Sequence, residues 1–230
     1  FASMASEFEA LNCQLVGLSV DGLYSHIAWL RTIQNKIEYK GMKNVEVKFP
    51  LIEDITMEVA KLYGMIQPGE SQTSAVRAVF FIDPQDKIRT ILYYPLSLGR
   101  NFDEIKRVLI GLQTSDHFGV ALPADWRPGD EVIVPTAGSC GVAKARMNGE
   151  EGQMKCYDWF FCTKPLSKEE VESNLGGPLP HSARSLCLKR RKLRAFFPPG
   201  KTEMSGKPCA KRLRRKRFFP YFRRVKPLFA

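Results

Sequence analysis

The first 115 residues alternate between two spacings of apolar positions, one typical of helices and the other of strands. The helical pattern occurs at 1–11, 23–39, 55–63 and 101–112, and runs typical of strands or extended segments occur at 13–20, 45–52, 76–82 and 88–94. Residues 83–87 join the last two strand runs as the turn of a predicted hairpin. Strands that alternate with helices and then form a hairpin predict an α/β fold with a mixed sheet.

Side chains at the ends of these patterns predict where several helices begin. Asp54 and Asn101 are suitable caps for the third and fourth helices, because their side-chain oxygens can accept hydrogen bonds from free backbone N–H groups. Ser167 and Glu170 have the spacing of a capping box, which predicts a further short helix over 167–175.

Between about residues 120 and 165 the regular periodicity is lost, and the composition becomes rich in Pro, Gly and aromatic residues. This region includes PADW at 123–126 and CYDWFFC at 156–162. We therefore predict a small, irregular C-terminal segment that packs on another body and does not fold alone.

Charge divides the chain at residue 176. Residues 1–175 contain 18 Lys and Arg against 23 Asp and Glu, whereas residues 176–230 contain 17 against a single acid, and the whole chain carries +11. Three interpretations of this basic tail stay open: the product of a reading-frame or assembly error, a disordered extension, or a segment that binds nucleic acid or an anionic membrane. No apolar run approaches eighteen residues, so we predict no transmembrane segment.

The six cysteines include no CxxC pair, and with three histidines they match no zinc spacing. They lie at positions 13, 140, 156, 162, 187 and 209. This pattern predicts no metal, no other cofactor and no disulfide-dense secreted framework, and it favours a reducing, cytoplasmic compartment. Cys13 opens an apolar run and is interpreted as a core residue, whereas Cys140 is placed in a Gly-rich loop.

Five stretches, taken in order, resemble the peroxiredoxin family. They are VGLSVDGLYSHIAW (16–29), VRAVFFIDPQDKIRTILYYP (76–95), LSLGRNFDEIKRVLIGLQ (96–113), PADW (123–126) and CYDWFFC (156–162). The resemblance covers roughly residues 1–175 and points to the one-cysteine-like, archaeal-type subgroup. It implies a thioredoxin-like fold with a core at 1–115, a C-terminal peroxiredoxin domain for dimerisation at 116–175, and the basic tail at 176–230.

The resemblance also implies an activity. Peroxiredoxins are thiol-dependent peroxidases that reduce hydrogen peroxide and alkyl hydroperoxides through a cysteine thiolate, in antioxidant defence. The expected partners are therefore a hydroperoxide substrate, a thioredoxin-like dithiol reductant and further copies of the chain in a homodimer or a ring of dimers.

Four residues match functional positions of the family. Arg77 matches the arginine that holds the thiolate and the peroxide oxygen, and Arg100 matches a second arginine that supports the same site. Cys162 is expected to be the resolving cysteine, with Cys156 as the alternative. The peroxidatic cysteine sits in a Pro-x-x-Cys-type loop that runs into a helix resembling residues 1–4, so we expect it upstream of Phe1 and the chain to be inactive alone.

Two other functions stay open at this point. The body could be a redox-silent scaffold whose basic tail binds nucleic acid or an anionic membrane, in which case binding weakens steeply with salt. Alternatively, Cys156 or Cys162 could itself be the nucleophile, although neither shows a helix N-terminus with a nearby arginine in the sequence. His26 is interpreted as a hydrogen-bonded structural residue.

Overall fold

The computed structural model describes residues 1–149 and 153–177, so the basic tail lies outside the described residues from 178 onward. The helices are α1 (Ala5–Ala10), preceded by a 3-10 turn (Ala2–Met4), α2 (Leu23–Lys36), α3 (Glu58–Leu62), α4 (Phe102–Phe118), α5 (Cys140–Met147) and α6 (Lys168–Asn174). The strands are β1 (Gly17–Ser19), β2 (Leu51–Glu53), β3 (Arg77–Ile82), β4 (Ile88–Tyr94), β5 (Val132–Val134), β6 (Lys155–Asp158) and β7 (Phe161–Lys164).

The strands of the described residues form three separate sheets. β1 and β2 pair in parallel, β3 and β4 pair antiparallel, and the remaining strands form an antiparallel sheet in the order β5-β7-β6. Both pairing directions of the predicted mixed sheet are therefore present, although the parallel and antiparallel pairs are not joined into one hydrogen-bonded sheet within the described chain. The strands at 13–20 and 45–52 shorten to three residues each.

The β3–β4 hairpin lies between two hydrophobic clusters. Val79 and Phe81 of β3 contact the first cluster, which α1 and α4 cover, whereas Ala78 and Phe80 contact the second, which lies around Ala60 of α3. This division follows from the two-residue period of a strand, because successive side chains point to opposite faces. The predicted hairpin is confirmed, with its turn at 83–87.

Helix α4 is the longest helix of the described chain and packs against the hairpin. The Asn101 side chain accepts a hydrogen bond from the Glu104 N–H at 3.2 Å, as the predicted cap requires. The helix continues six residues beyond the predicted end at 112 and ends at Gly119, whose φ of 63° suits a glycine. Its inner face buries Ile105 and Leu109 in the first cluster.

Asp54 caps α3 although it lies four residues before the first residue of the helix, Glu58. Its carboxylate accepts hydrogen bonds from the N–H groups of Val59 at 3.1 Å and Ala60 at 2.6 Å, and the side chain is buried. Met57 precedes the helix in the left-handed region with φ 58°, so the helix begins three residues later than the predicted start at Ile55.

The prediction of an irregular segment at 120–165 is wrong in part. Residues 132–164 contain the three-stranded sheet and α5, and Trp126 is buried in a third hydrophobic cluster with Val132 and Val171 of α6. The indole Nε1 of Trp126 donates to the Asp130 carbonyl at 3.2 Å, which satisfies its polar group inside this cluster. Strands of three or four residues carry too short an apolar pattern to be recognised from periodicity.

Two further expectations need adjustment. Cys140 was expected in a loop but is the first residue of α5, because the Ser139 hydroxyl accepts from the Val142 N–H at 3.3 Å and caps the helix. The predicted helix over 23–39 ends at Lys36, and its apolar face stays largely open, with Leu23 exposed by 55%. The Ser167 cap of α6 is confirmed by a 3.1 Å hydrogen bond from the Glu170 N–H.

Candidate active site

Arg77 and Arg100 lie together at the open end of the β3–β4 hairpin. Arg77 is the first residue of β3 and pairs across the ladder with Tyr94, while Arg100 lies two residues before α4. The Arg100 guanidinium reaches back to β3, where Nη2 donates to the Ala78 carbonyl at 3.4 Å. We call this pair of guanidinium groups the arginine site.

The arginine site has an excess of positive charge. Burial lowers the pKa of Arg100, and the charge of Arg77 lowers it further, against a smaller opposing effect of Tyr94. The Arg100 Nε is buried and has no hydrogen-bond partner, and within the described ranges neither arginine forms an ion pair. A buried donor without an acceptor is costly, so this site favours an incoming anion.

The N-terminal residue lies beside the arginine site. The Phe1 ring packs edge-on against Phe102, with ring centroids 4.7 Å apart. The first helical turns are thereby held next to the two guanidinium groups.

The four described cysteines differ in their surroundings. Cys13 packs against the first hydrophobic cluster, and burial raises the pKa of its thiol. Cys140 is exposed on α5, and Cys156 and Cys162 are bonded to each other. Among the described residues, the groups that shift the pKa of Arg100 or hydrogen-bond to it include no cysteine.

Cys156 and Cys162 form a disulfide between two neighbouring strands. They are direct cross-strand partners in the β6–β7 ladder, with Cα atoms 4.0 Å apart. Cys162 is 1% exposed, whereas Cys156 is only half-buried. The sequence pattern left the two cysteines as alternative resolving residues and did not predict that they pair. Their separation of six residues, which suits opposite positions across a tight hairpin turn, was the signal that could have indicated the pair.

His26 has the structural role that the sequence indicates. Its ring is buried on α2 and Nε2 is hydrogen-bonded to the Ser19 hydroxyl at the end of β1. The same hydroxyl lies 3.0 Å from Asp21 Oδ2, to which it donates. This contact ties the start of α2 to β1.

A search of residues 1–149 and 153–177 finds no group of three His, Cys, Asp or Glu side chains arranged to hold a metal ion. The helices in that part of the chain are all too short or too polar to cross a membrane.

Two family models match the chain over different segments. The AhpC/TSA family model matches residues 1–91, and the model for the C-terminal domain of 1-Cys peroxiredoxin matches residues 111–146. Among curated proteins, a peroxiredoxin of Methanosarcina mazei is 58% identical over 164 residues, covering 71% of this chain and 75% of that protein. A peroxiredoxin of Archaeoglobus fulgidus is 44% identical over 171 residues, covering 72% and 76%.

Solved structures give the same result. A yeast mitochondrial 1-Cys peroxiredoxin is 36% identical and superposes with a TM-score of 0.60 over 72% of this chain and 76% of that chain. A cysteine-to-serine mutant of peroxiredoxin 6 from Arenicola marina is 29% identical, with a TM-score of 0.59 over 73% and 76%. Nothing in these comparisons supports the alternative of a scaffold that binds nucleic acid or membrane. The chain has the thioredoxin-like fold of the peroxiredoxins and belongs to that family.

Proposed function

We propose that the chain is part of a thiol-dependent peroxidase, to which it contributes the arginine site that stabilises the attacking thiolate and the peroxide. The observation that carries this proposal is the unpartnered positive charge of Arg77 and Arg100, with a buried Arg100 Nε that lacks an acceptor. An anion is the group that this arrangement accommodates best, and a thiolate is the anion that the family chemistry requires.

The proposed chemistry follows from the charge. A free cysteine has a pKa of about 8.5, so most of it is an unreactive thiol at neutral pH. Two guanidinium groups beside the sulfur favour the charged form and lower that pKa. The thiolate attacks one peroxide oxygen, the O–O bond breaks, and the departing alkoxide or hydroxide develops negative charge that an arginine N–H can stabilise.

We infer that the peroxidatic thiolate is none of the four described cysteines. Cys13 lies in an apolar cluster that disfavours its thiolate, and Cys140 is exposed on α5 and is not among the groups that shift the pKa of Arg100 or hydrogen-bond to it. Cys156 and Cys162 are joined in a disulfide, which fits a resolving role for one of them better than peroxide attack. The chain by itself is therefore proposed to be inactive towards peroxide.

The test is to supply the thiolate. The chain is extended at its N-terminus with a strand and a Pro-Val-Cys-Thr-Thr-Glu loop, and a matched control carries serine in place of that cysteine. We expect peroxide consumption with a dithiol donor only in the extended cysteine form. Turnover by the unextended chain, or equal rates in the cysteine and serine forms, would contradict the proposal.

Partners, location and domain division belong to the same proposal. A thioredoxin-type reductant, a homodimer or ring of dimers, a cytoplasmic location and a boundary near residue 115 are all consistent with a peroxiredoxin. Support for self-association comes from large apolar side chains on the surface, including Leu23 and Tyr24 of α2 and Trp159 and Phe160 at the β6–β7 turn, each more than half exposed.

A further inference from the structure

We propose that Cys156 and Cys162 act in sequence as a two-thiol relay, in which Cys162 receives the oxidising equivalents and Cys156 carries them to the surface. In this relay the oxidised product presented to the reductant is the Cys156–Cys162 disulfide. The inference rests on the proposed peroxidase function, and it replaces the choice between two alternative resolving cysteines with a role for each.

The register of the hairpin supplies the first part of the argument. Cys156 and Cys162 are opposite one another in the β6–β7 ladder, with Cα atoms 4.0 Å apart and their sulfurs bonded. Two thiols held in this way exchange a disulfide with each other far faster than with a separate molecule, because the reaction is intramolecular. A mixed disulfide formed on either sulfur is therefore short-lived when the other thiol is free.

The difference in exposure supplies the second part and identifies Cys156 as the sulfur that the external reductant attacks. The Cys162 side chain is 1% exposed, and its Sγ lies 3.8 Å from the Asp158 carbonyl oxygen. Cys156 is half-buried in a strand whose other residues are exposed. Exchange requires access to the attacked sulfur, so an external dithiol reaches Cys156 more readily than Cys162.

The steps balance in atoms and electrons. The sulfenic acid on the peroxidatic cysteine condenses with the Cys162 thiol, so that an S–S bond forms and water leaves. The Cys156 thiolate then attacks the Cys162 sulfur, the bond to the peroxidatic cysteine breaks, and that cysteine departs as a thiolate. A dithiol protein finally reduces the Cys156–Cys162 disulfide and becomes a disulfide itself.

A purely structural disulfide is the competing explanation. A bond across β6 and β7 also closes a short loop around the exposed Tyr157, Trp159 and Phe160, and it holds the two strands together. A structural bond resists a protein dithiol in the folded state, whereas a relay bond must be reduced by it.

The relay can be tested in the full chain without peroxide. The reduced chain and a Cys156→Ser variant are treated with oxidised glutathione, and the modified cysteines are located by peptide mass spectrometry. We expect the unmodified chain to form the Cys156–Cys162 disulfide and to release the glutathione from this pair. The Cys156→Ser variant should keep a glutathione on Cys162.

The second step is measured with thioredoxin, thioredoxin reductase and NADPH. We expect thioredoxin to reduce the Cys156–Cys162 disulfide at least about tenfold faster than the glutathione adduct on Cys162 in the Cys156→Ser variant. A Cys140→Ser variant is the matched control, because Cys140 is an exposed thiol outside the pair, and it should behave as the unmodified chain.

Three results would overturn the relay. They are a stable glutathione adduct on Cys162 when Cys156 is free, a folded disulfide that thioredoxin leaves intact, and equal reduction rates with and without Cys156. A Cys162→Ser variant guards against misfolding of the Cys156→Ser form, since it should keep glutathione on Cys156 and lose it rapidly to thioredoxin.

Failure of the relay and failure of the peroxidase proposal are distinguishable. The relay experiment involves neither peroxide nor the arginine site, so a negative result leaves the peroxidase proposal standing. Conversely, an extended chain that does not consume peroxide leaves the measured exchange between Cys156 and Cys162 unaffected.

Discussion

The two ends of the β3–β4 hairpin use arginine in opposite ways. Near the turn, Arg89 forms two hydrogen bonds with Asp116 of α4, Nη1 to Oδ2 at 2.7 Å and Nη2 to Oδ1 at 2.8 Å, and Asp83 lies 3.7 Å away. At the open end, neither Arg77 nor Arg100 forms an ion pair with a carboxylate of the described residues. The pKa of Arg89 is raised, mainly by the hydrogen bond to Asp116, whereas burial and Arg77 lower that of Arg100.

The difference separates a stabilising arginine from one available for chemistry. A guanidinium that is already paired with a carboxylate has its donors occupied and fixes the hairpin on α4. An unpaired guanidinium is less favourable for the fold, and its free donors can bind a charge that develops during a reaction. The same residue type on one hairpin therefore serves two purposes, and substitutions should affect them separately.

The largest expected effect is a loss of peroxidase activity on substitution at the open end of the β3–β4 hairpin but not near its turn. In the extended, active chain, Arg77→Met should lower the rate of peroxide reduction by about 100-fold, since removing one donor to a developing oxyanion costs on this order. The matched Arg89→Met variant should keep its rate and lose about 1 kcal/mol of unfolding free energy, as expected for a well-formed, partly exposed pair. Stopped-flow peroxide kinetics and urea unfolding measure the two quantities.

The comparison between the hairpin ends fails if Arg89→Met loses as much activity as Arg77→Met. That result would mean that the hairpin position, and not the free charge at its open end, determines the rate. Raising the salt concentration provides a further check, because it should weaken the stabilisation by Arg89 through screening of its ion pair.

A smaller effect of opposite sign is expected at Arg100. Arg100→Met keeps an unbranched side chain as far as the position of Nε and removes both a buried donor without a partner and the repulsion from Arg77. We expect the free energy of unfolding of this variant to be about 1 kcal/mol higher than that of the parent chain, because an unsatisfied buried polar group costs roughly that amount. The same substitution in the extended enzyme should lower its activity. A melting temperature of the variant below that of the parent chain would show that the Arg100 guanidinium stabilises the fold and contradict this prediction.

The smallest effect concerns the pH dependence of stability at Cys13, whose pKa is shifted by burial and not by a nearby positive charge. Burial raises the pKa of Cys13 in the folded chain, so its contribution to stability is fully present below the pKa of the unfolded thiol, about 8.5. That contribution is lost as the pH rises through the higher folded pKa, because the unfolded chain gives up the proton first. The free energy of unfolding of the parent chain should therefore fall more steeply with pH above about 8.5 than that of Cys13→Ala.

Parallel pH slopes in the parent chain and Cys13→Ala would show that the thiol is not disfavoured as a thiolate. The measurement also sharpens the comparison of cysteine environments, since a thiol beside Arg77 and Arg100 is expected to shift in the opposite direction.

Features set by neighbouring residues were predictable from the sequence, whereas features that depend on tertiary packing or on strand register were not. The β3–β4 hairpin and the Asn101 cap depend on residues a few positions apart, so local patterns identified them. The Arg89–Asp116 pair joins residues 27 positions apart and required the packing of α4 on the hairpin. The register that joins Cys156 to Cys162 likewise depends on where the β6–β7 turn falls.

The arginine site was identified by resemblance and not by its physical pattern. An arginine at the start of an apolar strand is most often a surface residue, so Arg77 carries no distinguishing signal of its own. Only the folded arrangement brings Arg77 close enough to Arg100 to lower the pKa of Arg100. Its catalytic role stays a prediction until the substitutions are made.

Leu175 has a consequence for the order in which the protein can fold during synthesis. It packs against both the first and the third hydrophobic clusters, and nearby Gln113 donates to the Leu11 carbonyl at 2.6 Å while accepting from the Gly176 N–H at 3.4 Å. The cluster around α1 is therefore complete only after Leu175, which lies 164 positions after Leu11, has been synthesised. Until Leu175 has left the ribosome, the nascent chain carries an apolar surface that a chaperone can bind.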